Sequence, residues 1–229
     1  LRAVVGDSAE PYRQLLGKIK KRLLRTKTWI EASLKGKTIE ADCLLLRTDE
    51  LLEPLLLCHR SLLDCGMEII AIGPLEDTIR RIACFGMTLV KLDIRQNSER
   101  HAEVFEELSE YYGLGSYLHW SEAGRQSFLI QELQNKRPLF PVDWQPSENV
   151  QEVLDTCKVA AETDPAALGS YVISMASQPS DVLSVILLLR ESGIKHNMRV
   201  VPLFETLSDL ESAHECIEAL LSADWYKHY

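Results

Sequence analysis

The sequence predicts an α/β protein that is predominantly helical, with three parallel strands set among many helices. Three observations lead there. Apolar residues recur at helical spacing along most of the 229 residues. A strand, helix, strand, helix order occupies 170–222, which implies parallel neighbouring strands joined by a right-handed crossover. The segment 86–96, GMTLVKLDIRQ, has the short β-branched and apolar alternation of a strand.

Taken in order, residues 9–34 place Leu15, Leu16, Ile19, Leu23, Ile30 and Leu34 at helical spacing. Pro11 is tolerated in a first turn and Gly36 supplies a stop. A polar connector covers 35–43. A second helix is expected over 48–71, broken by Gly73-Pro74, and a third, short helix over 75–84. After a strand at 87–95, Asn97 or Ser98 can cap a helix over 98–112 whose Val104, Phe105 and Leu108 point inward. A further helix runs from Ser121 to about Gln134. Residues 135–147 carry Pro138, Pro141 and Pro146 with Phe140 and Trp144, too many prolines for helix, so an extended surface segment is expected. Helix 148–161 leads to strand 170–176. Helix 180–191, opened by Pro179, then a Gly193 turn, strand 199–204 and helix 207–222 complete the chain. The organisation expected is a helical region over 1–85 followed by a strand-bearing region over 86–229.

Composition narrows the function classes. Hydrophobic residues at 46% and charged residues at 26% are ordinary globular values. A formal net charge of −9 argues against a nucleic-acid or anionic-membrane surface, which needs clustered Lys and Arg. A small anionic substrate stays open, because the nearest few charges set the field in a pocket. The six cysteines form no CxxC pair and no zinc-finger spacing, and read as reduced thiols in a cytoplasmic protein. No apolar run reaches membrane-spanning length and no secretory leader is seen.

The strand expected at 87–95 carries the main chemical signal. Its alternation puts Lys91, Asp93 and Arg95 on one face and Val90, Leu92 and Ile94 on the other. Buried charge costs several kcal/mol or so per ion unless it is paired or ligand-bound. These groups therefore satisfy one another, or Arg95, at the carboxyl end, meets a ligand. A second apolar run, RVVPLF, ends at Glu205. Ligands bind at the carboxyl ends of parallel strands, so an arginine closing one strand and a glutamate closing another suggest an anion-plus-metal site.

The strings LVKLDIRQNSERH, SYVISMASQPSDVLSV, VVPLFETLSDL and SADWY resemble the phosphoenolpyruvate carboxylase family. The likeness extends through EPYRQLLGKIKKRL and RPLFPVDWQPS and covers essentially the whole chain. It implies that the three strands belong to an eight-stranded β/α barrel of TIM type wrapped by extra helices. It implies, too, that Arg95 binds the phosphate of phosphoenolpyruvate, that Asp93 orients Arg95, and that Glu205 holds Mg²⁺ or Mn²⁺. The family's TAHPT, GYSDS and GRGG strings do not occur here, so no catalytic residue is assigned, and the chain is expected to be an inactive central piece of a longer, homo-oligomeric enzyme. That enzyme would convert phosphoenolpyruvate and bicarbonate to oxaloacetate and phosphate. A non-catalytic helical scaffold or assembly module is the competing reading.

Each residue also has a plain structural role to be weighed. Arg95 could pair with Asp93 in a polar layer, and Glu205 could simply favour the positive end of helix 207–222. His101 is expected to be structural or solvent-facing. The other five histidines show no metal spacing, and Ser174, Met175 and Gln178 close a strand without assigned chemistry. Lys18, Lys20, Lys21, Arg22 and Arg25 read as one solvated helix face.

Overall fold

A computed structural model describes residues 1–40 and 42–229. It divides into two compact units, Leu1–Val90 and Lys91–Tyr229, each described by itself. No helix among the described residues is long and apolar enough to cross a membrane.

The first unit is helical: α1 (Arg2–Val5), α2 (Pro11–Ser33), α3 (Thr48–Asp64), α4 (Glu68–Ala71) and α5 (Pro74–Phe85). Leu15, Ile19, Leu45, Leu51, Leu55, Cys58 and Ile82 form its core. The single helix expected over 48–71 is two helices. Gly66 adopts a left-handed φ of 70°, its N–H bonds to the Leu63 carbonyl and that of Met67 to the Leu62 carbonyl, the paired bonds that close a helix at glycine. Arg22 also departs from the solvated face expected for it. It donates to the carbonyl of Leu44 (2.6 Å) and to Glu50 (3.0 Å), while Thr26 Oγ1 accepts the Leu45 N–H at 2.8 Å. The polar connector is thereby tied to α2, and Leu45 is carried into the core.

The second unit contains β1 (Leu92–Asn97), α6 (Ser98–Tyr111), α7 (Glu122–Gln134), α8 (Glu148–Glu162), β2 (Leu168–Ser174), α9 (Pro179–Glu191), β3 (Arg199–Pro202), α10 (Leu207–Ser222) and α11 (Asp224–His228). The strands form one parallel sheet in the order β1-β2-β3. Side-chain caps open several helices: Asn97 accepts from the Glu99 N–H, Ser121 from Gly124, Ser147 from Val150 and Thr206 from Asp209.

The first strand begins later than the sequence suggests and is not buried. Residues 86–90 turn, with Gly86 at φ 58° and Leu89 at φ 68°, a conformation outside the β region. The Gly86 N–H closes α5 on the Ile82 carbonyl, and a side chain at Gly86 would press on Thr48 Oγ1. The strand that follows is an edge strand, with Leu92 67% exposed and both Asp93 and Arg95 exposed. Its charged residues therefore carry no burial penalty that pairing must offset.

Helices cover one face of the sheet. Tyr171, Ile173 and Val200 lie in the main core cluster, and Ile94 packs against it. At the centre of that cluster, α9 is buried all round from Val182 to Leu189, which is why its sequence shows a continuous apolar run instead of a stripe. The opposite face carries the row Arg95, Val172 and Val201. Val172 is buried, at 6% exposure, but lies outside the core cluster, and Val201 is 36% exposed. The proline-rich segment 135–147 is irregular, as expected, but enters the core: Leu139 is buried and its N–H donates to Glu191 at 2.7 Å.

Candidate functional site at the carboxyl edge of the sheet

Three strand ends converge on one edge. Arg95 sits in β1 beside Val172 of β2, which in turn sits beside Val201 of β3. Glu205 follows β3 by three residues, just ahead of Thr206, the N-cap of α10. Arg95 and Glu205 thus lie at the same sheet edge, two strands or roughly 10 Å apart laterally. No ion pair joins them among the described residues. Arg95 has no carboxylate partner there at all, which leaves its planar fork of donors free for a ligand.

Met175 links the strand ends. It is not glycine, yet it adopts φ 55°, a left-handed conformation that costs an L-residue about 1–2 kcal/mol. Such a conformation persists where the surroundings over-determine it. Here the Met175 N–H donates to Glu205 Oε2 at 3.1 Å, and the Met175 carbonyl accepts from Ser98 Oγ at 2.9 Å. Ser98 immediately follows β1. One strained residue just beyond β2 therefore ties Glu205, beyond β3, to the start of α6, beyond β1. The bond occupies one carboxylate oxygen of Glu205 and directs the side chain back across the sheet, so Glu205 is more than a helix-end charge. The sequence offered no sign of this role, because the φ of a non-glycine residue cannot be read from its identity.

Asp93 does not touch Arg95. Its Oδ1 accepts the Ser170 N–H at 2.8 Å, and the pairing of β1 with β2 shifts register between Leu92 and Ile94. Two residues of β2, Gly169 and Ser170, stand opposite the single Asp93 in that bulge, and its carboxylate satisfies an amide that the irregular ladder would leave open. Arg95 is thus held by its strand, not by an acidic neighbour.

A divalent ion would find one ligand of the right class here. Hard cations take carboxylate oxygens and retain waters, and Glu205 is exposed with a single oxygen engaged. The described residues contain no cluster of three or more candidate ligands, so this chain fits such an ion with one carboxylate alone.

His101 stands apart from the edge. It is fully buried on α6, its Nε2 lies 2.9 Å from the Tyr171 hydroxyl, and burial, helped by the charge of Arg100, pushes its pKa down to about 3. Tyr171 in turn bonds to Cys157, whose thiol burial pushes up to about 12. Nδ1 of His101 has no partner among the described residues. A neutral ring with Nε2–H donating to Tyr171 leaves only an acceptor unmet, the smaller loss. The three groups form a buried structural chain.

Comparison with known proteins supplies the context of this edge. The family model described as phosphoenolpyruvate carboxylase matches residues 3–229. The chain is 58% identical over 229 residues to a phosphoenolpyruvate carboxylase of Marinobacter nauticus, 54% over 224 residues to one of Hahella chejuensis, and 53% over 230 residues to one of Escherichia coli. In each case nearly the whole chain aligns, and it spans 25–26% of the relative's length.

Proposed function

Since the chain belongs to the phosphoenolpyruvate carboxylase family, we propose that it forms the phosphate-binding and metal-binding sector of an enzyme that carboxylates phosphoenolpyruvate with bicarbonate. The observation that carries this reading is the placement of Arg95. It is exposed and, among the described residues, free of carboxylate partners, at the carboxyl edge of a parallel sheet. Parallel sheets are almost always covered on both faces, whereas the main core cluster of this unit draws its buried strand side chains from one face of the sheet. A β/α barrel accounts for that asymmetry, with the other face turned to the interior and the three strands contributing part of an eight-stranded ring.

In the reaction proposed, a bicarbonate oxygen attacks the phosphorus of phosphoenolpyruvate and the bond from phosphorus to the enol oxygen breaks. Carboxyphosphate and the pyruvate enolate result. Loss of phosphate from carboxyphosphate yields carbon dioxide, which the enolate carbon attacks to give oxaloacetate. Arg95 is assigned to the phosphoryl oxygens, where two parallel N–H donors both orient the group and stabilise the charge that accumulates on it. Glu205, steadied by the Met175 amide, is assigned as one carboxylate ligand of Mg²⁺ or Mn²⁺. Bound there, the ion would supply charge stabilisation at the developing oxyanions. The free thiols of all six cysteines accord with a cytoplasmic setting.

Two substitutions in the intact enzyme test the assignment. Arg95→Lys should lose bidentate geometry and lower kcat/KM by about 2–3 kcal/mol in transition-state terms, with the melting midpoint unchanged. Normal kinetics would return Arg95 to a surface role. Glu205→Gln keeps size and the bond to Met175 but removes the charge, so the metal concentration giving half-maximal activity should rise. A metal titration overlaying that of the parent would remove Glu205 from the ion's shell.

A further inference from the structure

The opposite, amino-terminal edge of the sheet holds a second concentration of positive charge. A polar pocket of about 280 Å³ opens there, lined by Lys91, Gly169, Ser170, His196, Asn197 and Arg199 among others. No carboxylate lines it, and Lys91, His196 and Arg199 form no ion pair among the described residues. The setting makes this unusual. Between Lys91 and Tyr229 the chain has 11 basic residues against 22 acidic ones, so unpaired basic groups would be expected to find partners.

Two acidic residues adjoin the pocket in sequence, and both are engaged by backbone amides: Asp164, beside Pro165, accepts the Ala166 N–H at 2.9 Å. Asp93 Oδ1 accepts the Ser170 N–H and packs against Gly169, where even a methyl group would overlap it. The charges of Asp93 and Asp164 lower the local potential, set against two permanent cations and an imidazole. The far wall is held in place by Tyr229. Asn197 Nδ2 donates to the Tyr229 carbonyl at 2.7 Å, and Tyr229 Oη donates to the Met198 carbonyl at 2.7 Å. The turn that presents His196 and Arg199 is therefore preformed.

We propose that this pocket binds a small oxyanion, namely a phosphate group, either free or carried on a small metabolite. Arg199 offers a planar fork suited to phosphate and Lys91 a mobile point charge, with the Ser170 hydroxyl and Asn197 amide as neutral partners. The site is separate from Arg95. Arg199 pairs with Ser170, whereas Arg95 pairs with Val172, so the two arginines lie two residues apart along the strands, roughly 7 Å, and two strands apart, roughly 10 Å.

Thermal unfolding of the full chain, at fixed ionic strength set with chloride, tests the proposal. A ligand that binds only the folded state raises the midpoint with its concentration. Inorganic phosphate or glycerol 3-phosphate should do so at millimolar levels. Arg199→Gln and Lys91→Gln, both at exposed positions, should fold and raise the half-saturating concentration at least fivefold. Lys158→Gln, exposed on α8 and outside the pocket, should leave it unchanged. Stronger stabilisation by glycerol 3-phosphate than by phosphate identifies a phosphorylated metabolite, and equal stabilisation identifies free phosphate. A response abolished by Arg95→Gln and kept by Arg199→Gln would overturn the proposal while leaving the function proposed for Arg95 intact. No response to either probe would overturn it outright.

Discussion

Burial, more than chemistry, governs His101. The ring stays neutral in the folded protein down to about pH 3, whereas an unfolded histidine takes up a proton near pH 6.5. Between those values the unfolded state binds the extra proton, so stability falls as pH drops below about 6.5, by up to about 1.4 kcal/mol per pH unit from this group. Above pH 6.5 the group contributes no slope. His101→Gln retains a partner for Tyr171 and cannot titrate. Its stability, measured by urea unfolding from pH 7 to 4.5, should decline less steeply than that of the parent, and parallel slopes would refute the link. The sequence alone left His101 as structural or solvent-facing and did not reveal its burial, because the tyrosine it meets lies 70 residues away. Long-range partners of this kind, like the bond between Met175 and Glu205, are the part of the site that sequence patterns do not encode. Residue types at strand ends are the part that they do.

At the scale of elements, the contact between β1 and β2 depends on a glycine. Any side chain at Gly169 would meet the Asp93 carboxylate, which can yield only by giving up its bond to the Ser170 N–H. Gly169→Ala should therefore cost about 1–3 kcal/mol. In an Asp93→Ala background the same change should cost much less, and a double-mutant cycle on unfolding free energies measures the difference. Additive costs would mean that Asp93 and Gly169 do not share the bulge. The helices from α6 to α10 were legible in the sequence to within one or two residues because polar caps and prolines mark their starts. The stretch 86–91 was misread as strand since its apolar residues alternate, while the left-handed φ of Leu89, which with Gly86 turns it, cannot be read from the identity of a leucine. Gly66 was a readable stop signal, masked by apolar spacing that continues through Ile69 and Ile70.

For the molecule as a whole, the decisive feature is the second unit's unfinished sheet. Among the described residues the outer edges of β1 and β3 have no neighbouring strand, and on the face bearing Arg95 the residue Val201 is 36% exposed. Exposed strand edges and apolar surface of this kind promote pairing with other chains. Catalysis, moreover, needs several groups held to about half an ångström, whereas the described residues supply one unpaired arginine and one carboxylate at the candidate site. The 229-residue chain on its own should consequently form no oxaloacetate above background in a coupled assay containing phosphoenolpyruvate, bicarbonate and Mg²⁺, and should self-associate in solution. Measurable oxaloacetate would show that the site is complete without further strands. Sedimentation as a monomer that binds no apolar dye would show instead that the open face is stable in water, and the argument for a barrel would then rest on family membership alone.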